Sequence, residues 1–118
     1  MRQRNVKNKK EIIENSKYFI ENPKEFKDNW CEVFKNNNPI HIEIGMGKGQ
    51  FIIENAKRYK DINFIGIEKF DSILALALKK IPDDLDNLRI IRLDAINIEE
   101  IFSKEIFPFD FFQPQPFI

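Results

Sequence analysis

Apolar residues along this chain switch between two spacings, and each switch marks a boundary between elements. Ile40, Ile42 and Ile44 alternate with His41 and Glu43, which is the period of a β-strand. Gly45, Gly47 and Gly49 follow at once, and over 51–59 Phe51, Ile52 and Ala56 take up helical spacing. A second strand reads Phe64-Ile65-Gly66-Ile67 and ends in Glu68. A helix is predicted over 70–80, stopped by Pro82. A third strand over 88–93 ends in Asp94, and 96–102 predicts a short helix. Upstream, Ile12, Ile13, Phe19 and Ile20 predict a short amphipathic helix over 10–20. Asn22-Pro23 breaks it and opens another, with Asn22 as cap and Phe26, Trp30, Val33 and Phe34 on one face. Trp30 reads as a packing anchor.

Strands and helices alternating over some fifty residues predict an α/β domain, a parallel sheet with helices on its faces. The near-continuous apolar run FIGI fits a strand buried on both sides. No internal repeat or linker interrupts the chain, so one domain is expected. Its parts are a basic arm and helical extension over 1–38, a ligand-binding part over 39–106 and a Phe/Pro-rich tail over 107–118.

In an open parallel sheet the ligand sits beyond the C-terminal strand ends. Three acids fall there: Glu43 in the first glycine-flanked strand, Glu68 after the second, Asp94 after the third. An acid at the second strand end can accept both hydroxyls of a ribose, by charge-assisted bonds worth about 1.5–3 kcal/mol. Asp94 followed by the small Ala95 suits the exocyclic amine of an adenine with room for its ring. Glu43 lies beneath the glycine turn, where a cationic group would rest. The turn itself, Gly45, Gly47 and Gly49, lets backbone approach a ligand and presents N–H groups at a helix start.

Charge then separates two ligands. A dinucleotide brings a pyrophosphate, which is ill served by carboxylates at the turn. S-adenosylmethionine brings a sulfonium and an ammonium, which favour them. The dinucleotide pattern G-x-G-x-x-G would also require glycine where Gln50 stands, and the phosphate-loop pattern fails because Gly49 follows Lys48. The residues therefore point to S-adenosylmethionine ahead of NAD.

Composition adds little. The 118 residues balance 19 basic against 19 acidic side chains, so no global charge calls for nucleic acid or membrane. The longest apolar run, 73–78, is too short to span a bilayer, and the N-terminus has no apolar core to make a secretory signal. One cysteine, Cys31, leaves no intrachain disulfide or cysteine metal cluster, which fits a reducing, cytoplasmic setting. His41, inside a strand, reads as a packed side chain, and Lys48 as solvated. Residues 1–10 carry five basic side chains and no acid. On composition they read as a frayed terminus.

The motifs MRQRN, NPKEFKDNW, NPIHIEIGMGKGQFI, INFIGIEK and LDA, at these spacings, resemble the bacterial tRNA (guanine-N7-)-methyltransferases over about residues 1–103. The resemblance implies a Rossmann-like class I S-adenosylmethionine-dependent methyltransferase fold, here its N-terminal, cofactor-binding part. It implies cofactor contacts at Glu43, Glu68, Asp94 and Ala95 around the turn of Gly45, Gly47 and Gly49. It implies tRNA as partner, with Arg2 and Arg4 as RNA contacts. It implies methyl transfer to N7 of the variable-loop guanosine.

One departure stands out. Where that family carries a strand ending in a motif like NFSDPWPK, this chain reads EIFPFDFFQPQPFI. Asp110 lacks the Pro-Trp-Pro context, so no catalytic role is carried to it and no catalytic residue is named. No metal is expected. The chain reads as a shortened form with weak or no activity. The competing readings are a non-catalytic S-adenosylmethionine-binding fragment or partner subunit and, more distantly, an NAD-dependent oxidoreductase. Six of the twelve phenylalanines lie in the last eighteen residues. They would either plug the slot beside the Ile40–Ile44 strand or lie uncovered.

Overall fold

The computed structural model describes residues 7–102 and 111–112. Five parallel strands form one sheet: β1 (Phe19–Ile20), β2 (Ile40–Ile44), β3 (Asn63–Glu68), β4 (Leu88–Arg92) and β5 (Phe111–Phe112), in the order β1-β4-β3-β2-β5. Four α-helices, α1 (Lys9–Asn15), α2 (Trp30–Phe34), α3 (Gln50–Arg58) and α4 (Asp71–Lys80), and two 3-10 segments, Pro23–Phe26 and Ala95–Glu100, complete the described chain. The expected α/β architecture is borne out.

Register follows from the apolar pattern. In β3 every residue is buried, because each face of the sheet is covered. Phe64, Leu88 and Ile90 pack beneath Ile13 of α1, Ile52 and Ala56 of α3 and Leu74 of α4. Ile42, Ile65, Ile67 and Ile91 pack on the opposite face with Trp30, Phe34 and Phe102. Trp30 is the anchor the sequence predicts: it is 2% exposed, stacks on Phe102 with ring centroids 5.4 Å apart, and donates Nε1–H to the Ile101 carbonyl.

The chain winds outward from β2 through β3 to β4, then returns to place β5 on the other side of β2. Ile42 pairs with Phe111 and Glu43 with Phe112. Thus part of the phenylalanine tail fills the slot beside β2. Residues 103–110 and 113–118, including Asp110, lie outside the described residues, as do Arg2 and Arg4.

Three local expectations need correction. Phe19 and Ile20 form a strand, not the end of a helix. Ser16 leaves helical geometry, its Oγ accepts the Tyr18 N–H, and the Tyr18 carbonyl accepts the Ile90 N–H at 2.8 Å. The edge of β4 gains partners that a continued helix could not give. The second helix is also split. Pro23 opens a 3-10 turn, Asn22 makes no side-chain cap, and Asp28 takes a left-handed φ of 68° before α2 begins. The last predicted helix is a tighter 3-10 segment, starting at Ala95 and capped by Asp94 Oδ1.

Asn87 locks the far end of the sheet. Its Nδ2 donates to the carbonyls of Ala56, Tyr59 and Ile62 at 3.0, 3.0 and 2.9 Å. This ties the end of α3 and the following turn to the start of β4. Asn87→Ala should strip partners from these carbonyls and cost about 1–3 kcal/mol, read as a lower midpoint in urea unfolding. An unchanged midpoint would remove this role.

Candidate functional site

Strand ends β2, β3 and β4 surround a cavity of about 350 Å³, walled by Ile44 and Gly45, by Ile67, Glu68, Lys69 and Phe70, and by Leu93, Asp94 and Ala95, with Ile73 of α4 beneath. Its size falls at the lower end of small-molecule sites, roughly 300–1,000 Å³. Of the residues expected at a cofactor site, Gly45, Glu68, Asp94 and Ala95 share this one wall.

Glu68 is the junction. It is only 6% exposed, and its carboxylate accepts two backbone N–H bonds, Gly47 to Oε1 at 3.0 Å and Phe70 to Oε2 at 3.2 Å. A carboxylate offers about four lone-pair sites, so acceptor capacity remains on both oxygens. Asp94 is exposed, and Oδ1 spends one lone pair capping Ile96 at 3.2 Å.

The glycines divide by role. Gly45 and Gly47 have φ of 68° and 60°, and a Cβ built on either meets nothing within 4 Å. They serve the backbone turn and leave open space beside it. Gly49, the residue before α3, packs closely, its would-be Cβ 3.3 Å from Ala77 and Ile53. Gly47 reaches the site through Glu68, whereas Gly49 does not line the cavity.

Glu43 sits in β2 opposite Gly66, on the face that also carries Phe64 and Ile90. It does not wall the cavity. It is 1% exposed, and Oε1 has no hydrogen-bond partner. Burial pushes its carboxyl up to about 7. Glu43 and Glu68 share one face of the sheet, offset by one strand and two positions, so two carboxyl groups lie on the side of the sheet that carries the turn.

The sequence left several wall residues unnamed. Lys69 follows Glu68 and holds its ammonium 5.1 Å from the Phe70 ring centre. Phe70 is 45% exposed at the cavity. Met46, within the turn, and Gly66, in β3 against its side chain, were also missed, though a glycine inside a strand is a signal of close approach. Among the described residues no group of His, Cys, Asp or Glu is arranged to hold a metal ion. No described helix is long and apolar enough to cross a membrane.

Glu43 makes stability depend on pH in a defined direction. Its folded value near 7 lies above the ordinary 4.5, so between these the native state binds more protons than the unfolded chain. The penalty for ionising the buried carboxyl is absent below pH 4.5 and accrues as pH rises to 7, so stability falls over that range. Glu43→Gln should therefore raise stability by roughly 3 kcal/mol above pH 7 and leave it unchanged near pH 4, checked by urea unfolding across pH. Equal gains at both pH values would rule out the buried charge as cause.

Comparisons with known proteins bear out the resemblance read from the sequence. A family model described as "Putative methyltransferase" matches residues 37–118. A tRNA (guanine-N(7)-)-methyltransferase of Lachnoclostridium phytofermentans is 49% identical over 104 residues, covering 87% of this chain and 49% of that protein. The enzyme of the same name from Listeria welshimeri is 57% identical over 79 residues, 66% of this chain and 37% of its own length. The chain thus spans half or less of the length of these curated relatives. Among solved structures, a plantazolicin methyltransferase in complex with a desmethyl analogue and SAH aligns with 68% of this chain and 29% of its own, 26% identical, at a TM-score of 0.46, too loose a likeness to bear on the fold. On the match over residues 37–118, with a parallel α/β sheet beneath it, the chain belongs to this methyltransferase family.

Proposed function

We propose that the chain holds S-adenosylmethionine in the cavity between β2, β3 and β4, as the cofactor-binding part of a tRNA (guanine-N7-)-methyltransferase. The observation that carries this reading is the bond from Gly47 N–H to Glu68. A pyrophosphate at the turn would need that N–H, and would meet the carboxylate already bound to it. A cationic adenosine compound finds the charge it needs. The same bond weighs against a dinucleotide.

Residues have distinct parts in this reading. Glu68 accepts from the ribose hydroxyls with its remaining lone pairs. Asp94 accepts the exocyclic amine, and Ala95 leaves room for the ring. Gly45 and Gly47 keep the space beside the turn clear. Glu43 supplies negative potential from below, stronger once it ionises. The cofactor, when bound, supplies an electrophilic methyl carbon.

Guanine N7 already carries a lone pair, so the protein need not remove a proton to make it a nucleophile. Its work is to hold donor and acceptor in line. Groups that would place the guanine are expected in the part of the relatives that this chain does not span. The resemblance assigns phosphate contacts of the tRNA to Arg2 and Arg4. The chain alone is expected to bind cofactor and to transfer methyl weakly or not at all. A non-catalytic binding fragment or partner subunit shares the first property and lacks the second entirely.

Calorimetric titration with S-adenosylhomocysteine tests the site. The chain should bind it and ignore NADH. Glu68→Ala should weaken binding by about 2 kcal/mol, roughly thirtyfold. Equal affinity in the folded variant would take Glu68 out of the pocket. Labelled cofactor with unmodified tRNA then reads transfer itself, and turnover at the rate of a full-length relative would overturn the expectation of weak activity.

A further inference from the structure

We propose that Gly66 is a positioning residue for the cofactor site: its missing side chain is the seat on which Met46 holds the glycine turn at the end of β3. The proposal rests on the reading of the cavity given above.

Gly66 lies in the middle of β3, and its backbone is not in the left-handed region, so any residue could adopt it. The glycine is there for space. A Cβ at this position would stand 2.5 Å from Met46 Sδ, 3.1 Å from Ile90 Cδ1 and 3.2 Å from Ile52 Cδ1. The isoleucine methyls can yield a few tenths of an ångström. The thioether cannot stay where it is.

Met46 is the residue between the two open glycines, and it is 6% exposed. Its N–H and that of Gly45 both donate to the Ile67 carbonyl, at 3.0 and 2.9 Å, and its own carbonyl accepts the Gly49 N–H at 3.1 Å. Gly47 N–H is held by Glu68. Three consecutive residues of β3 thus grip the turn by three means: Gly66 by a hollow, Ile67 by a carbonyl, Glu68 by a carboxylate. The last grip and Gly45 are cavity wall. A side chain at Gly66 must displace the Met46 thioether. The Met46 side chain is flexible but packed in the core with Ile52 and Ile90, so the displacement is expected to reach the turn and, through it, the wall.

The test is a double-mutant cycle on the full chain, read by S-adenosylhomocysteine titration and by amide hydrogen exchange at Gly45, Met46 and Gly47. Gly66→Ala should weaken binding at least about tenfold and speed exchange at these amides. Adding Met46→Ala removes the displaced thioether. It should restore slow exchange, and return affinity to within about threefold of Met46→Ala alone. A general loss of stability would speed exchange across the sheet, whereas a lost seat speeds it at these three amides alone. Gly66→Ala that binds and exchanges like the parent overturns the proposal, since Met46 then swings aside without moving the turn. So does a double variant no better than Gly66→Ala. If Gly66→Ala fails to fold, the double variant decides: folded with protected turn amides sustains the seat, unfolded refutes it. If the parent chain does not bind the probe, the cofactor reading fails by itself, and amide exchange still decides whether Gly66 seats the turn.

Discussion

Two loops converge on one carboxylate. Glu68 takes an N–H from the glycine turn after β2 on one oxygen, and an N–H from the start of its own β3–α4 loop on the other. A buried carboxylate without donors would carry a heavy desolvation cost, and charge-assisted bonds of about 1.5–3 kcal/mol each offset it. Neither loop could be moved without leaving that charge short of partners. The arrangement depends on register. Ile44 pairs with Ile67, which sets Glu68 level with the turn. A slip of one residue would carry Glu68 to the opposite face, among Trp30, Phe34 and Ile91.

Glu43 shows the opposite economy. It lies on the same face as Glu68, more deeply buried, and one of its oxygens has no partner. A packed apolar residue there would hold the fold better. An unsatisfied buried acid beneath the glycine turn calls for a reason, and the proposed cofactor site offers one. A cationic ligand above the turn would lower the cost of its charge, so ligand and acid stabilise one another.

The sheet and its ligand end were readable because their signals are local. Alternating isoleucines, the FIGI run and acids at successive strand ends fix strand limits to within a residue or so. What escaped reading depends on partners distant in sequence. Phe19 and Ile20 have helical spacing with Ile12 and Ile13, yet the edge of β4 draws them into a strand some seventy residues away. The seat of Met46 on Gly66 also joins residues twenty apart. A glycine in a strand announces a close approach but not by what. Nor could spacing tell that Glu43, Glu68 and Asp94 differ in reach: two wall the cavity, and the third underlies the turn. That difference comes from the pleat and from depth along the strand, not from sequence distance.

Strand β5 bears on the same acid from the other side. Without it, the outer edge of β2 would present free N–H and C=O groups, inviting strands from other chains. Phe111 and Phe112 pair with Ile42 and Glu43, so the backbone on which Glu43 stands is bonded to a neighbour on each side. A residue in a strand paired on both edges cannot readily turn its side chain out to water to relieve an unpartnered oxygen. Its charge is relieved by taking up a proton, or would be by a cation brought to the turn. Two residues of pairing therefore do more than close an edge. They keep the buried acid where a ligand at the turn can meet its field.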